Sequence, residues 1–348
     1  ISWRRGDLQT ARRRYLVAYT IYQRTSQNSE DLALTAHNLG VLAWQDGDLE
    51  EALRRWTVAL EIRRQIAPDS LRLAESLSNM SALVTKMGDL EKGGSLCLAA
   101  LSIFNKHAPG SMSCGRATNN LGLIALESGQ LEIADRHFRS ALAIFEKLAP
   151  DSFEMAGLMG NLGRIAHELG NLDEARTWCD RSASILGKIA PGTSDFALSQ
   201  HLLGIIARDR QDYSESERLF RSAADLRHRI CPGTLDEAQS LTALGVVASD
   251  KGDLNEGRRS QEAALAIQEK VAPNSLDVLF SLVNLGIFAA ERGDHTVVSA
   301  LSGRSLELVT TLLTSQGLSR AGELGSIGAE TNKSLLRLGW LDHPESSY

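Results

Sequence analysis

The sequence predicts an all-α fold, a solenoid of antiparallel helix pairs stacked one on the next. Three observations predict it. Prolines stand at positions 68, 109, 150, 191, 232 and 273, each 41 residues after the last. Glycines stand at 6, 47, 88, 129, 170, 252 and 293 on the same period, and Gln211 fills the one gap. Between these marks apolar residues fall at i, i+3 and i+4, the spacing of a buried helical stripe. Such a period marks one supersecondary unit repeated, and each unit buries its apolar face only against its neighbours.

The elements are justified in chain order. Residues 1–27 hold one second-helix equivalent, from Gly6-Asp7-Leu8 through Ala11 to Tyr22. The unit at 28–68 shows the full pattern. Ser29 is placed to cap a first helix, and Glu30 and Asp31 suit its electropositive start. That helix continues from Leu32 to Gln45, with Leu39, Leu42 and Ala43 on one face. Gly47-Asp48 makes the turn, the glycine accepting a positive φ and the aspartate capping the second helix. Glu50 to Ala67 is that second helix, with Ala52, Trp56, Ala59 and Leu60 on its buried face and Pro68 just beyond. Translation by 41 residues gives seven such units over 28–314, so the expected solenoid domain covers 1–314. The last unit is degenerate, opening on Asp294-His295-Thr296-Val297-Val298. Over 315–348 the period is lost. Leu318–Leu338, weakened by Gly322, Gly325 and Gly328, reads as an atypical capping helix or a lead into a further domain.

Asn-Leu-Gly recurs at 38–40, 120–122, 161–163 and 284–286, with Asn79-Met80-Ser81 as a variant. Glycine inside a helix costs about 1 kcal/mol against alanine and needs a reason. The expected reason is close approach of the second helix at the small residues Ala52, Ala134 and Ala175, twelve positions on. By the same scale Gly93-Gly94, where other units place alanine, marks a weak second helix.

Leu39-Gly40, Ala43, Ala52, Trp56 and Ala59 resemble the tetratricopeptide repeat (TPR) in residue type and spacing. The unit has 41 residues instead of 34. Seven extra residues are close to two helical turns, one on each helix, which keeps the faces in register. Long repeats of this kind are similar to those of kinesin light chains. The run Ala-Leu-Ala-Ile-Phe-Glu-Lys-Leu-Ala-Pro-Asp-Ser at 141–152, with Gly170-Asn171-Leu172, resembles bacterial TPR proteins, many of which carry a caspase-like CHAT peptidase after the repeats. The resemblance implies a right-handed superhelical solenoid with a concave peptide-binding groove. It also implies a non-catalytic protein-binding scaffold, the sensor or regulatory array of a larger bacterial protein. A kinesin-light-chain-like cargo adaptor is an alternative. So is the substrate-binding region of a CHAT-type enzyme whose catalytic domain lies outside this chain. Fold alone does not choose among them.

The 348-residue chain is 43% hydrophobic and 23% charged, the composition of a folded protein. With 37 basic and 43 acidic residues it lacks the basic footprint of a nucleic-acid binder. No apolar run approaches the ~18 residues that span a membrane. Four scattered cysteines suit a reducing, cytoplasmic setting. Cys97 and Cys179 fall on the position of Trp56, Cys231 on that of Ala67 and Cys114 on that of Leu73, so all four are expected as small packed residues. No Cys-x-x-Cys pair exists and the eight histidines form no helical metal pair, so neither cofactor nor metal is expected. Cysteines on the packed faces of different hairpins do not meet a general base, and no catalytic residue is assigned.

The candidate binding residues are the row Asn38, Asn79, Asn120, Asn161 and Asn284, interrupted by Leu202 and Ala243. In TPRs this first-helix position faces the groove. An amide offers both donor and acceptor, and so pairs with an extended peptide backbone without reading its sequence. Alternatively each amide ties one hairpin to the next. Seven positions later five acids succeed one another, Glu127, Glu168, Asp209, Asp250 and Glu291. Acids near a helix C-terminus oppose the dipole, which points either to attraction of a basic partner or to a solubilising rim. Arginines at 12, 13, 14, 54, 55, 63 and 64 read most simply as exposed faces of second helices, with attraction of an acidic partner as the alternative.

Overall fold

The computed structural model describes residues 8–316, which form fifteen helices and no strand. The expected helix at Leu318–Leu338 lies outside them. Two compact bodies divide between Ile165 and Ala166. The first holds α1 (Leu8–Thr25), α2 (Glu30–Gln45), α3 (Leu49–Ile66), α4 (Leu71–Lys86), α5 (Leu90–His107), α6 (Met112–Glu127) and α7 (Leu131–Leu148). Helix α8 (Phe153–Glu168) runs across the division. The second holds α9 (Leu172–Ile189), α10 (Ser194–Asp209), α11 (Tyr213–Ile230), α12 (Leu235–Asp250), α13 (Leu254–Val271), α14 (Leu276–Glu291) and α15 (His295–Gln316).

The period has a simple origin. A first helix of 16 residues, a three-residue turn, a second helix of 18 residues and a four-residue link recur without change from α2 to α13. Side chains set each boundary. The hydroxyls of Ser29, Ser70, Ser111, Thr193, Thr234 and Ser275 accept the backbone N–H three residues on and start the first helices. Asp48, Asp89, Asp212 and Asp253 do the same for second helices. Asp294 keeps this role in the degenerate last unit, accepting from the Val297 N–H at 3.1 Å.

The turn between paired helices requires a left-handed residue. Gly47, Gly88, Gly129, Gly170, Gly252 and Gly293 sit at φ of 72–93°, and Gln211 is forced to φ 64° in the same place. A side chain there costs about 1 kcal/mol. Gln211→Gly is therefore expected to raise the stability of the second body by about 1 kcal/mol. Urea titration checks this, and an unchanged midpoint would mean that the turn is not strained.

Buried alanines and leucines make up most of the core, with Trp56, Phe138 and Phe220 at one repeated position. Cys97, Cys114 and Cys179 are buried as expected, and Cys231 is half-buried. Cys97 Sγ–H donates to the Ala117 carbonyl at 3.1 Å. Burial pushes its thiol up to about 11 and that of Cys179 up to about 12.

The helix glycines answer to a different neighbour from the one expected. A Cβ on Gly122 would lie 2.6 Å from the Phe138 ring, one on Gly204 2.8 Å from Phe220, and one on Gly40 would clash with Cδ1 and Nε1 of Trp56. At these three positions the ring sixteen positions on, more than the small residue twelve positions on, demands the glycine, whereas a Cβ on Gly286 would meet nothing within 4 Å. Where the ring is replaced by Gln261, the expected reason holds, and a Cβ on Gly245 would meet the Gly257 carbonyl at 3.0 Å.

Candidate functional site

Each first helix keeps one stripe at the surface. In α2 it comprises Asp31, Leu34, Asn38, Val41 and Gln45, while Leu32, Ala33, Ala36, Leu39 and Ala43 turn inward. The asparagine row runs along the middle of this stripe, and all five members are half-buried. First helices of neighbouring hairpins approach one another, α4 against α6 and α10 against α12.

Their amides differ in surroundings. Asn79 Nδ2 lies 3.4 Å from Nε2 of His37 on the preceding first helix, the tie between hairpins that was the alternative expectation. Among the described residues the side chains of Asn38, Asn120 and Asn161 have no hydrogen-bond partner in the chain. Asn284 Nδ2 is buried without one. An orphaned buried donor costs about 1–3 kcal/mol.

The acidic row is engaged in part. Asp209 lies 2.6 Å from His167 Nε2, and Asp250 accepts from Arg208 Nε at 2.6 Å. Glu168 also has a partner within the chain. Glu127 and Glu291 are exposed. These contacts obey one rule: His37 reaches Asn79, His167 reaches Asp209 and Arg208 reaches Asp250, each 42 residues on. A residue on one first helix thus meets the position just past its equivalent on the next.

Behind the stripe lies a polar set that was not expected. Arg63 is 1% exposed, where an exposed helix face was predicted. Its guanidinium donates to Glu30 Oε1 at 2.9 Å, Ser76 Oγ at 2.7 Å and the Arg72 carbonyl at 3.2 Å. Long flexible arginines read as surface by type alone; only the packing of α4 against α3 covers this one. Four periods on, Arg227 donates to Ser240 Oγ and the Asp236 carbonyl, each at 2.7 Å. The position of Glu30 is there Ser194, so no carboxylate bonds Arg227, and its Nε is unbonded. Burial drives its pKa down from the ordinary value. Beside each arginine sits a histidine in the same repeat position. Burial, reinforced by Arg63, lowers His37 to about 4, and burial with Arg227 lowers His201 to about 3. The shared period was the signal for this pairing, since 37, 63 and 76 map onto 201, 227 and 240.

A second carboxylate rim was also missed. Asp195, Asp236 and Asp277 stand in the first turns of α10, α12 and α14, exposed and 41 residues apart. Asp236 and Asp277 flank a cavity of roughly 320 Å³ that Gln268 and Phe280 also line. Among the described residues, no group of three histidine, cysteine or acidic side chains could hold a metal ion, and no helix is long and apolar enough to cross a membrane.

Hairpins of fixed length, stacked with a surface stripe on every first helix, define a helical-repeat scaffold for protein interaction. The chain belongs to the tetratricopeptide repeat family, whose models match residues 1–65, 72–147, 154–229 and 238–275. No curated protein sequence matches it. Many solved structures share the fold, three of them as follows. A Pyrococcus horikoshii signal transduction ATPase with a tetratricopeptide repeat sensor aligns over 90% of this chain and 46% of its own, with TM-score 0.68 and 14% identity. The quorum sensor NprR of B. thuringiensis aligns over 88% and 83%, with TM-score 0.67 and 12% identity. BtubC of P. vanneervenii aligns over 64% and 92%, with TM-score 0.57 and 18% identity.

Proposed function

We propose that this chain is the sensor or regulatory array of a larger bacterial protein and holds an extended peptide or protein segment along the surface stripes of its first helices. The carrying observation is the asparagine row. Asn38, Asn120 and Asn161 recur at one position, half-exposed, with amides that bond nothing in the chain. An amide so placed satisfies both the N–H and the C=O of a passing backbone. Glu127 and Glu291 add attraction for a basic partner, while Asp209 is held against His167 and Asp250 is paired with Arg208. Two structures of the same fold belong to proteins described as sensors, which supports that context. The solenoid domain is taken as 1–314, and a CHAT-type caspase-like domain is the proposed fused or associated enzyme.

An immobilised library of random extended peptides tests the reading. The tightest binders of the full chain should weaken about ten-fold for each amide removed in Asn120→Ala and Asn161→Ala. Helix content and the urea midpoint should stay nearly unchanged. Equal affinity in the double variant would show that the row only spaces hairpins.

A further inference from the structure

The second body carries a surface that the first lacks. The stripe positions of its first helices read Asp195-Leu198-Leu202-Ile205-Asp209, Asp236-Gln239-Ala243-Val246-Asp250 and Asp277-Phe280-Asn284-Ile287-Glu291. Each begins and ends on a carboxylate and is mostly apolar between. Leu198 is 44% exposed and Phe280 40%. Helix α10 lies against α12, and α12, α13 and α14 share one cavity, so the three stripes form one face.

In the first body the same positions mix signs. Arg72 pairs with Glu30 beside the stripe at 3.0 Å, and Arg116 with the stripe residue Glu154 at 2.8 Å. None of the fifteen stripe positions of the second body carries lysine or arginine. Asp195, Asp236 and Asp277 make no ion pair and no side-chain hydrogen bond among the described residues, and of the three only Asp236 feels a buried cation, Arg227. Helix starts do not require them, because α4 and α6 begin without a first-turn acid. Like charges repeated along an apolar face cost stability unless something of opposite sign covers them.

We propose that the faces of α10, α12 and α14 dock a protein segment in which lysines or arginines flank an apolar stripe. The apolar side chains lie on Leu198, Leu202, Ile205, Val246 and Phe280, and the cations meet the aspartate rim. One long basic side chain enters the cavity. Its stem covers Leu235 and Phe280 while its charge sits between Asp236 and Asp277, with Gln268 and Thr242 as further polar partners. Charge complementarity selects this occupant, since an acidic segment would face three carboxylates without an ion pair along one edge. The inference rests on the reading above that first helices bind a partner segment, and it names that segment's chemistry and place.

Three synthetic peptides test it on the full chain by fluorescence anisotropy. One carries leucines flanked by lysines, one has glutamates in place of the lysines, and one is oligolysine of equal charge. The first should bind about ten-fold or more tighter than either control. Asp236→Asn with Asp277→Asn should weaken it about five-fold and flatten its salt dependence. Leu198→Gln with Phe280→Gln, both at exposed positions, should weaken it about ten-fold with helix content unchanged. Equal binding of lysine and glutamate peptides, oligolysine binding as tight as the first, or indifference to both double variants would overturn the proposal. Asn120→Ala with Asn161→Ala separates the two readings. If that variant loses the probe while the second-body variants keep it, docking belongs to the asparagine row and this surface is not the site.

Discussion

Lowering the pH from 6.5 to 4.5 is expected to remove about 1.4 kcal/mol of stability per pH unit from each body. His37 in the first body is held at about 4 and His201 in the second at about 3, both below the ordinary 6.5. Burial is the larger cause in each, and the adjacent Arg63 or Arg227 adds to it; Glu30 opposes the shift only at His37. The sign is set by proton uptake. Below pH 6.5 the unfolded chain protonates these imidazoles and the folded chain does not, so acid pulls the equilibrium towards unfolding. The contribution is complete above 6.5 and is lost as pH falls towards the folded values. Urea midpoints at pH 7.5, 6 and 5 measure it. His37→Gln should flatten the slope of the first body, and His201→Gln that of the second. Equal midpoints at pH 7 and 5 would show that the buried histidines accept protons without cost.

Two alanine substitutions should act in opposite directions within the first body. Gly122→Ala is expected to cost about 2 kcal/mol, because its Cβ would lie 2.6 Å from the Phe138 ring in a packed core. Gly94→Ala should gain about 1 kcal/mol, because its Cβ would find only Ile124 at 4.0 Å and helix propensity decides. Gly93 beside it behaves like Gly122, since its Cβ would run into Thr85 Oγ1. Phe138→Leu should recover part of the Gly122→Ala loss, as expected of side chains sharing one space. Thermal midpoints of the single and double variants check these values. A gain at both Gly122 and Gly94 would mean that the aromatic ring moves aside freely.

Much of the fold was legible because it is local. Serine and threonine caps, aspartate caps and glycine turns recur at 41-residue spacing and act within three or four residues of themselves. Helix limits read from Ser29, Gln45 and Pro68 lie within a residue of those observed. The candidate site was legible only as equivalence. The asparagine row and the acid row could be named from the period, but their partners could not.

Sequence by itself thus determined the helices, their lengths, their inward faces and the family. Tertiary structure decided what each repeated position meets. It set Phe138 against Gly122, buried Arg63 against α4, joined Arg208 to Asp250, and left Asp195, Asp236 and Asp277 without an ion pair. It also divided the chain between Ile165 and Ala166, inside α8, where the period shows no break. The physical reason is range. A cap or turn is settled by neighbours along the chain, whereas burial and charge pairing depend on which side chains the next hairpin brings to a distance of a few ångströms.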